Sequence, residues 1–200
     1  RLLRDDYGAR IDEKGRHFLD RIEQAGRTME SLIHDLLELS RIGRTEADKS
    51  LIDPRSVLAP LYAEFKPRLD RAGTSLELPE SPPLLMCNRT RLYQLFSNLV
   101  GNALEHMGSV EQPRIRVEVK PLQDGHEITV SDNGKGIDPA HHDRIFEIFQ
   151  SIGPRRDGRR GTGIGLAIVK KIAETHGGRV WVESQPDQGA SFHLTLPCGS

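Results

Sequence analysis

Between Asp12 and Ile42, apolar side chains return every three or four positions. Leu19, Ile22, Met29, Ile33 and Leu36 form the line, Gly26 and Ser40 complete its register, and Leu32 and Leu37 widen it. A stripe with that heptad-like spacing belongs to a helix packed along another helix. Ahead of it, Arg1 to Tyr7 reads as the last turns of an earlier helix that stops at Gly8. The pattern predicts a helical hairpin whose first arm is truncated, suited to pairing with a second copy; a helix packed on its own domain is the alternative. From Thr45 to Ser50 polarity rises and the heptad ends. A domain boundary is expected there, separating residues 1–45 from residues 46–200.

Beyond the boundary the periodicity changes. Ser56 to Arg71 reads as a helix, with Pro60 and Pro67 putting its limits in question. Thr74 to Leu78 and Leu84 to Cys87 read as strands. Arg89 to Glu105 is helical, with Leu92, Leu95, Phe96, Leu99 and Val100 on one side. Arg114 to Lys120 and His126 to Ser131 alternate as strands around a turn at Asp124-Gly125. Gly163 to His176 is helical and closes on Gly177-Gly178. Val180 to Glu183 and Ser191 to Leu196 complete the strands. Helices interleaved with hairpin-like strand pairs predict an α/β fold, a mixed sheet with helices on one face.

Composition narrows the classes further. Hydrophobic residues are 36% and charged residues 28% of the 200, enough for a packed core and unlike a disordered chain. A formal net charge of −1 gives no sign of a nucleic acid partner. Cys87 and Cys198 match neither a metal spacing nor a disulfide framework, so a reducing, cytoplasmic setting is expected. No apolar run has the length of a transmembrane helix, and no signal peptide is visible. The chain opens at Arg1, inside a helical pattern and without methionine. We therefore expect a longer parent, soluble or membrane-anchored, with a sensor domain upstream.

Three segments hold candidate chemistry. Asp132-Asn-Gly-Lys-Gly-Ile137 follows a strand, and its glycines let the backbone turn sharply against a flat ligand. The acid at the strand end could accept a hydrogen bond from an exocyclic amine such as that of adenine; alone, such a segment is equally a simple turn. Gly161-Thr-Gly-Ile-Gly-Leu166 opens a helix, where unpaired amides and the helix dipole suit phosphate. It fits neither a Walker loop nor the dinucleotide fingerprint. Before it, the basic stretch from Pro154 to Arg160 suits a lid over phosphates, or a solvated loop. Asn98 and Asn102 lie one helical turn apart on one face. An amide oxygen there would suit Mg2+, a hard cation that favours oxygen ligands and keeps some of its water.

Taken in order, these segments resemble sensor histidine kinases. Asn98-Leu-Val-Gly-Asn102-Ala resembles the N box and Asp132 to Ile137 the G1 box. Phe146-Glu-Ile-Phe149 resembles the F box, and Gly161 to Leu166, running on to His-Gly-Gly178, the G2 box. Gly189-Ala-Ser-Phe192 is similar to the closing strand, and Met29 to Arg41 to the second helix of the dimerisation hairpin. The resemblance implies a Bergerat-type α/β sandwich preceded by a helical-hairpin segment. It implies ATP and Mg2+ as cofactors, with Asp132 on the adenine amino group and Gly134 and Gly136 shaping the pocket beside Ile137. Asn102 would ligate Mg2+ with Asn98 beside it, and Gly161, Thr162, Gly163, Gly165 and Leu166 would enclose the phosphates. Phe146 and Phe149 would anchor the lid, Phe149 also contacting ATP, and Lys135 is a further candidate phosphate contact.

The implied activity moves the ATP γ-phosphate to a protein histidine and then to a response-regulator aspartate. Its implied partners are a second copy, met through the hairpin, and a receiver domain. Asn98 cannot take a proton from water, which favours holding ATP over hydrolysing it. Two positions depart from the pattern. Glu105 stands where the family often has lysine or arginine, and the accepting histidine, expected on the first helix, is absent, leaving a chain not expected to phosphorylate itself. His34 and His17 sit on the second helix and are not taken as acceptors; His106, Cys87 and Trp181 are read as structural or surface residues. The rival readings are a stand-alone ATPase or serine kinase of the superfamily, and a regulatory module with a degenerate pocket.

Overall fold

The computed structural model describes residues 12–43, 49–150 and 162–198. The stub from Arg1 to Tyr7, the boundary at residue 45, the basic stretch from Pro154 to Arg160 and Gly161 lie outside the described residues. Helix α1 (Glu13–Arg41) starts where the Asp12 carboxylate accepts the Gly15 amide at 2.7 Å. It has two different faces. Phe18, Ile22, Met29, Ile33, Leu36 and Leu37 are exposed, whereas Leu32 and Leu39 pack against the core and Ile42, just past the helix, is buried.

After α1 come β1 (Ser50–Ile52), α2 (Arg55–Ala72), β2 (Ser75–Glu77), β3 (Leu85–Cys87) and α3 (Arg89–His106). They are followed by β4 (Arg114–Leu122), β5 (Gly125–Asp132), two 3-10 turns (Pro139–His141 and Arg144–Phe146), α4 (Gly165–Thr175), β6 (Val180–Ser184) and β7 (Ala190–Pro197). Five strands form one sheet in the order β2-β4-β5-β7-β6, with β2 parallel to β4 and every other pair antiparallel. The short β1 and β3 make a separate antiparallel ribbon.

Strict alternation builds the layers. Along β7, Ala190, Phe192, Leu194 and Leu196 are buried, while Ser191, His193 and Thr195 between them are only partly covered. With Ile115 and Val117 of β4 and Ile128 and Val130 of β5, they meet the apolar faces of α2, α3 and α4 in one core. The opposite face of the sheet is polar, and Trp181 is accommodated there by stacking on His193, centroids 5.1 Å apart.

Helix α2 runs through both Pro60 and Pro67. Pro60 leaves the Ser56 carbonyl without its helical donor, and Arg89 Nη2 supplies one at 2.6 Å. The carbonyl released by Pro67 belongs to Ala63, on the exposed side of the helix. Buried Val57, Leu58, Leu61, Phe65 and Leu69 hold the helix on the core despite the two missing bonds. Neither β1 nor the 3-10 turns was expected from the sequence.

Candidate functional site

Helix α3 is the wall between core and cavity. The Asn88 side chain caps its start, accepting the Arg91 amide at 3.1 Å. Leu92, Leu95, Phe96, Leu99 and Val100 are buried, which turns Asn98, Gly101, Asn102 and Glu105 toward a cavity of about 510 Å³. That volume is ordinary for a small-molecule site. The Asn98 amide nitrogen donates to the Gln94 carbonyl at 2.7 Å, leaving its oxygen toward α4. A methyl carbon on Gly165 would lie 2.7 Å from that oxygen. Glycine at 165 therefore makes room for Asn98 beside the helix start.

Asp132 ends β5 at the other side of the cavity. Its carboxylate accepts the Gly134 amide at 2.8 Å and is also bonded by the Ala190 amide. Burial outweighs both bonds and pushes its pKa up to about 6. The loop that follows is fastened on three sides. Asn133 accepts the Arg114 amide at 2.8 Å and donates to the Gln112 carbonyl at 3.1 Å. The Ile137 amide donates to Ser184 Oγ at 2.8 Å, and the Asp187 amide to the Lys135 carbonyl at 2.6 Å. Gly136, at φ 66°, lies against Gln185 so closely that any side chain would overlap its carbonyl oxygen. The 133–137 loop is thereby held to the turn between β6 and β7.

Ile137, Ile145, Leu166, Ala190 and Phe192 give the cavity an apolar wall suited to a flat base. Phe146 supports it from beneath, edge-on to Phe192 with centroids 6.3 Å apart. Helix α4 opens with no side-chain cap, and Thr162, Gly163, Gly165 and Leu166 line the cavity around its free amides.

Of the residues expected from the sequence, Asn98, Asn102, Asp132, Lys135, Gly136, Ile137, Thr162, Gly163, Gly165 and Leu166 come together around this space. Gly134 sits just behind, bonded to Asp132. Phe149 is not among the lining residues. It is exposed at φ 66°, with its amide donating to the Gly163 carbonyl at 2.9 Å, so its backbone joins the two ends of the segment around residues 150–162. His106, read as structural or surface, lines the cavity.

Helices α1 and α2 add residues that sequence reasoning missed. From α1, Asp35 accepts the Thr162 hydroxyl at 2.9 Å, and Glu38 accepts Gln94 at 2.6 Å and Arg91 at 3.4 Å. The Gln94 bond, with Arg91 and Arg41 nearby, holds the Glu38 pKa below the ordinary carboxylate range. From α2, Glu64, Phe65 and Arg68 reach the cavity. Tyr93 donates to Glu64, a bond that with burial pushes the phenol up to about 12. The one sequence signal of this second wall was an acid at Glu105, where a base was expected.

A mixed five-stranded sheet under three helices, with its cavity between an asparagine-bearing helix and a half-buried strand-end acid, is the Bergerat-type sandwich. The family model described as histidine kinase-, DNA gyrase B-, and HSP90-like ATPase matches residues 87–200, and the chain belongs to that family. Over 199 residues it is 35% identical to the phytochrome-like protein Cph1 of Synechocystis sp., covering 100% of this chain and 26% of Cph1. Full-length ShkA, solved in complex with AMPPNP, matches with a TM-score of 0.71 at 25% identity, over 100% of this chain and 42% of ShkA. ThkA in complex with the response regulator TrrA matches with a TM-score of 0.70 at 22% identity, over 94% of this chain and 53% of that one, a likeness of fold. The chain thus spans about a quarter, 26%, of the length of the phytochrome-like relatives it matches. Among the described residues, no helix is long and apolar enough to cross a membrane.

Proposed function

We propose that this chain is the ATP-binding kinase core of a two-component sensor histidine kinase. The observation that carries this reading is the convergence of a half-buried, desolvated Asp132 and the Asn98–Asn102 face on one cavity with an apolar wall. Asp132 accepts the adenine amino group, and the fastened loop through Gly136 fixes where that group can lie. Thr162, Gly163 and Gly165 offer their backbone to the phosphates.

The donor set also suits Mg2+. Asn102 lines the cavity and would offer an amide oxygen to the ion, and among the described residues no cluster of three His, Cys, Asp or Glu forms a cage. An ion held by nucleotide oxygens, water and one amide is the arrangement Mg2+ favours. When bound, it would neutralise charge on the phosphates; this chain's part is to position them.

In the proposed reaction an imidazole nitrogen, on a helix preceding α1, bonds to the γ-phosphorus as the bridging oxygen leaves with ADP. A receiver-domain aspartate then takes the phosphoryl group. Asn98 offers no base to activate water, consistent with transfer over hydrolysis. ShkA binds AMPPNP and ThkA binds TrrA in their solved complexes, and both uses are proposed for this chain's parent.

Restoring the upstream helix and supplying γ-labelled ATP should place acid-labile, alkali-stable label in the protein. Asn102→Asp should remove it, since a carboxylate there alters both the charge and the ligation at Mg2+. Rapid steady release of inorganic phosphate, with no label in the protein, would instead favour the ATPase reading.

The exposed line of α1 is proposed to meet a second copy. Ile22 is 67% and Ile33 55% exposed on one face, an unusual surface for a solvated helix. Ile22→Glu with Ile33→Glu should shift the protein toward monomer in sedimentation velocity and leave ATP affinity in place. An unchanged distribution would remove this face as the dimer seam.

A further inference from the structure

ATP brings a polyanion into this cavity, and the charges that line it do not at first suit one. Among the described lining residues, Asp35, Glu64, Glu105 and Asp132 stand against two full cations, Lys135 and Arg68. Lys135 belongs to the base end. It lies in the loop that follows Asp132, and its stem runs so close to Gly108 that a methyl there would meet its Cγ at 2.7 Å. Among the described lining residues, the cation near the asparagine face is therefore Arg68, from α2.

Its placement is specific. Glu105 follows Asn102 by one turn on the same face of α3, and Arg68 Nη2 lies 3.6 Å from Glu105 Oε1. The guanidinium also rests 5.0 Å from the centroid of Phe65, whose ring lies where a methyl on Gly101 would touch it at 3.8 Å. Arg68 is thus tethered over the Gly101–Asn102 stretch by an acid and a ring. The tether is light. The contact to Glu105 is long, and the Arg68 side chain remains 48% exposed, so it can turn without unpacking the core. A phosphate group, by contrast, takes arginine in a bidentate, charge-assisted geometry.

We infer that Arg68 is the phosphate-contacting cation of this site, held ready by Glu105 and Phe65, and supplies from α2 the positive charge that α3 lacks at position 105. The inference rests on the reading of the cavity as a Mg-ATP site. Arg68 reads the phosphate chain and not the base, so its contribution separates ATP from adenosine. The acid at 105 acts as a holder: it keeps the guanidinium beside Asn102 and gives it up to the nucleotide.

The test is calorimetric, with Mg-ATP and with adenosine, on the parent chain and on Arg68→Ala, Arg68→Lys, Glu105→Lys and the exchanged pair Arg68→Glu/Glu105→Arg. Arg68→Ala should weaken Mg-ATP about tenfold, the loss of one charged hydrogen bond, and leave adenosine unchanged. Arg68→Lys should keep part of the affinity, Glu105→Lys should bind Mg-ATP more tightly, and the exchanged pair should recover most of what Arg68→Ala loses. Mg-ATP affinity unchanged in Arg68→Ala would overturn the assignment. An equal loss for ATP and adenosine, accompanied by a lowered Tm, would also overturn it and leave Arg68 a packing partner of Phe65. A folded parent that binds neither ligand would overturn the reading of the cavity, and this assignment with it.

Discussion

Asp132→Asn is expected to abolish measurable Mg-ATP binding while making the protein more stable at neutral pH. The two effects share one cause. Burial pushes the Asp132 carboxyl up to about 6 from an ordinary value of 3.8, so at pH 7.5 the fold holds a charge it would rather hold neutral. Between those values the folded state binds more protons than the unfolded one. Stability conferred by the protonated form is present at low pH and is lost as pH rises through about 6. At pH 7.5 the ionised group costs at most about 3 kcal/mol, and asparagine removes that cost while its oxygen can still accept the Gly134 amide. Its amide nitrogen, however, would face the adenine amino group donor to donor. Urea unfolding should show the variant ahead of the parent at pH 7.5, with the gap closing toward pH 4. ATP affinity of the parent should move the opposite way, weakening as pH falls through about 6. A variant that binds ATP normally, or one that is less stable with no dependence on pH, would exclude Asp132 from the role given to it. A functional acid kept at the expense of stability is what sites of this kind commonly show.

One side of this cavity was legible because its residues sit at places a sequence reveals. Asp132 follows an alternating strand, Asn98 and Asn102 share a face that the apolar residues of α3 leave open, and Gly163 and Gly165 precede a periodic helix. Each needs only local structure to be placed. The far wall needs tertiary structure. Asp35 reaches Thr162 across 127 positions of sequence, and nothing around either residue announces the other. Arg68 is an ordinary exposed residue of α2 until Glu105 is seen beside it. Pro60 raised a doubt about α2 that local rules justify, and a single side chain from α3, Arg89, answered it. Phe149 shows the opposite failure. As an aromatic residue in the right segment it suggested a ligand contact, yet its backbone amide makes the connection and its ring faces solvent. Helix α1 lay between these cases: its stripe was plain, but the line of Leu32, Asp35, Glu38 and Leu39 that meets the sandwich was hidden by their mixed polarity.

Gly136→Ala should remove ATP binding by a different route, with a loss of stability on the order of 3 kcal/mol. Gly136 stands at φ 66°, where a side chain is strained, and an added methyl would run into the Gln185 carbonyl, a backbone atom that cannot step aside. Relief requires the 132–137 loop to lift from the turn between β6 and β7. That movement would break the Ile137–Ser184 and Asp187–Lys135 bonds and carry residues 135–137 away from Asp132. Gly165→Ala is the informative contrast, because the atoms nearest its methyl all belong to the Asn98 side chain, which can turn. It should therefore fold nearly as well as the parent and lose affinity chiefly through a displaced Asn98. Denaturant midpoints and Mg-ATP affinities measured together for Asp132→Asn, Gly136→Ala and Gly165→Ala should separate the three: stability gained, stability lost and stability kept, with binding impaired in every case. If Gly136→Ala kept the parent's midpoint and affinity, the fastening of this loop to the β6–β7 turn could not be what positions the base end of the site.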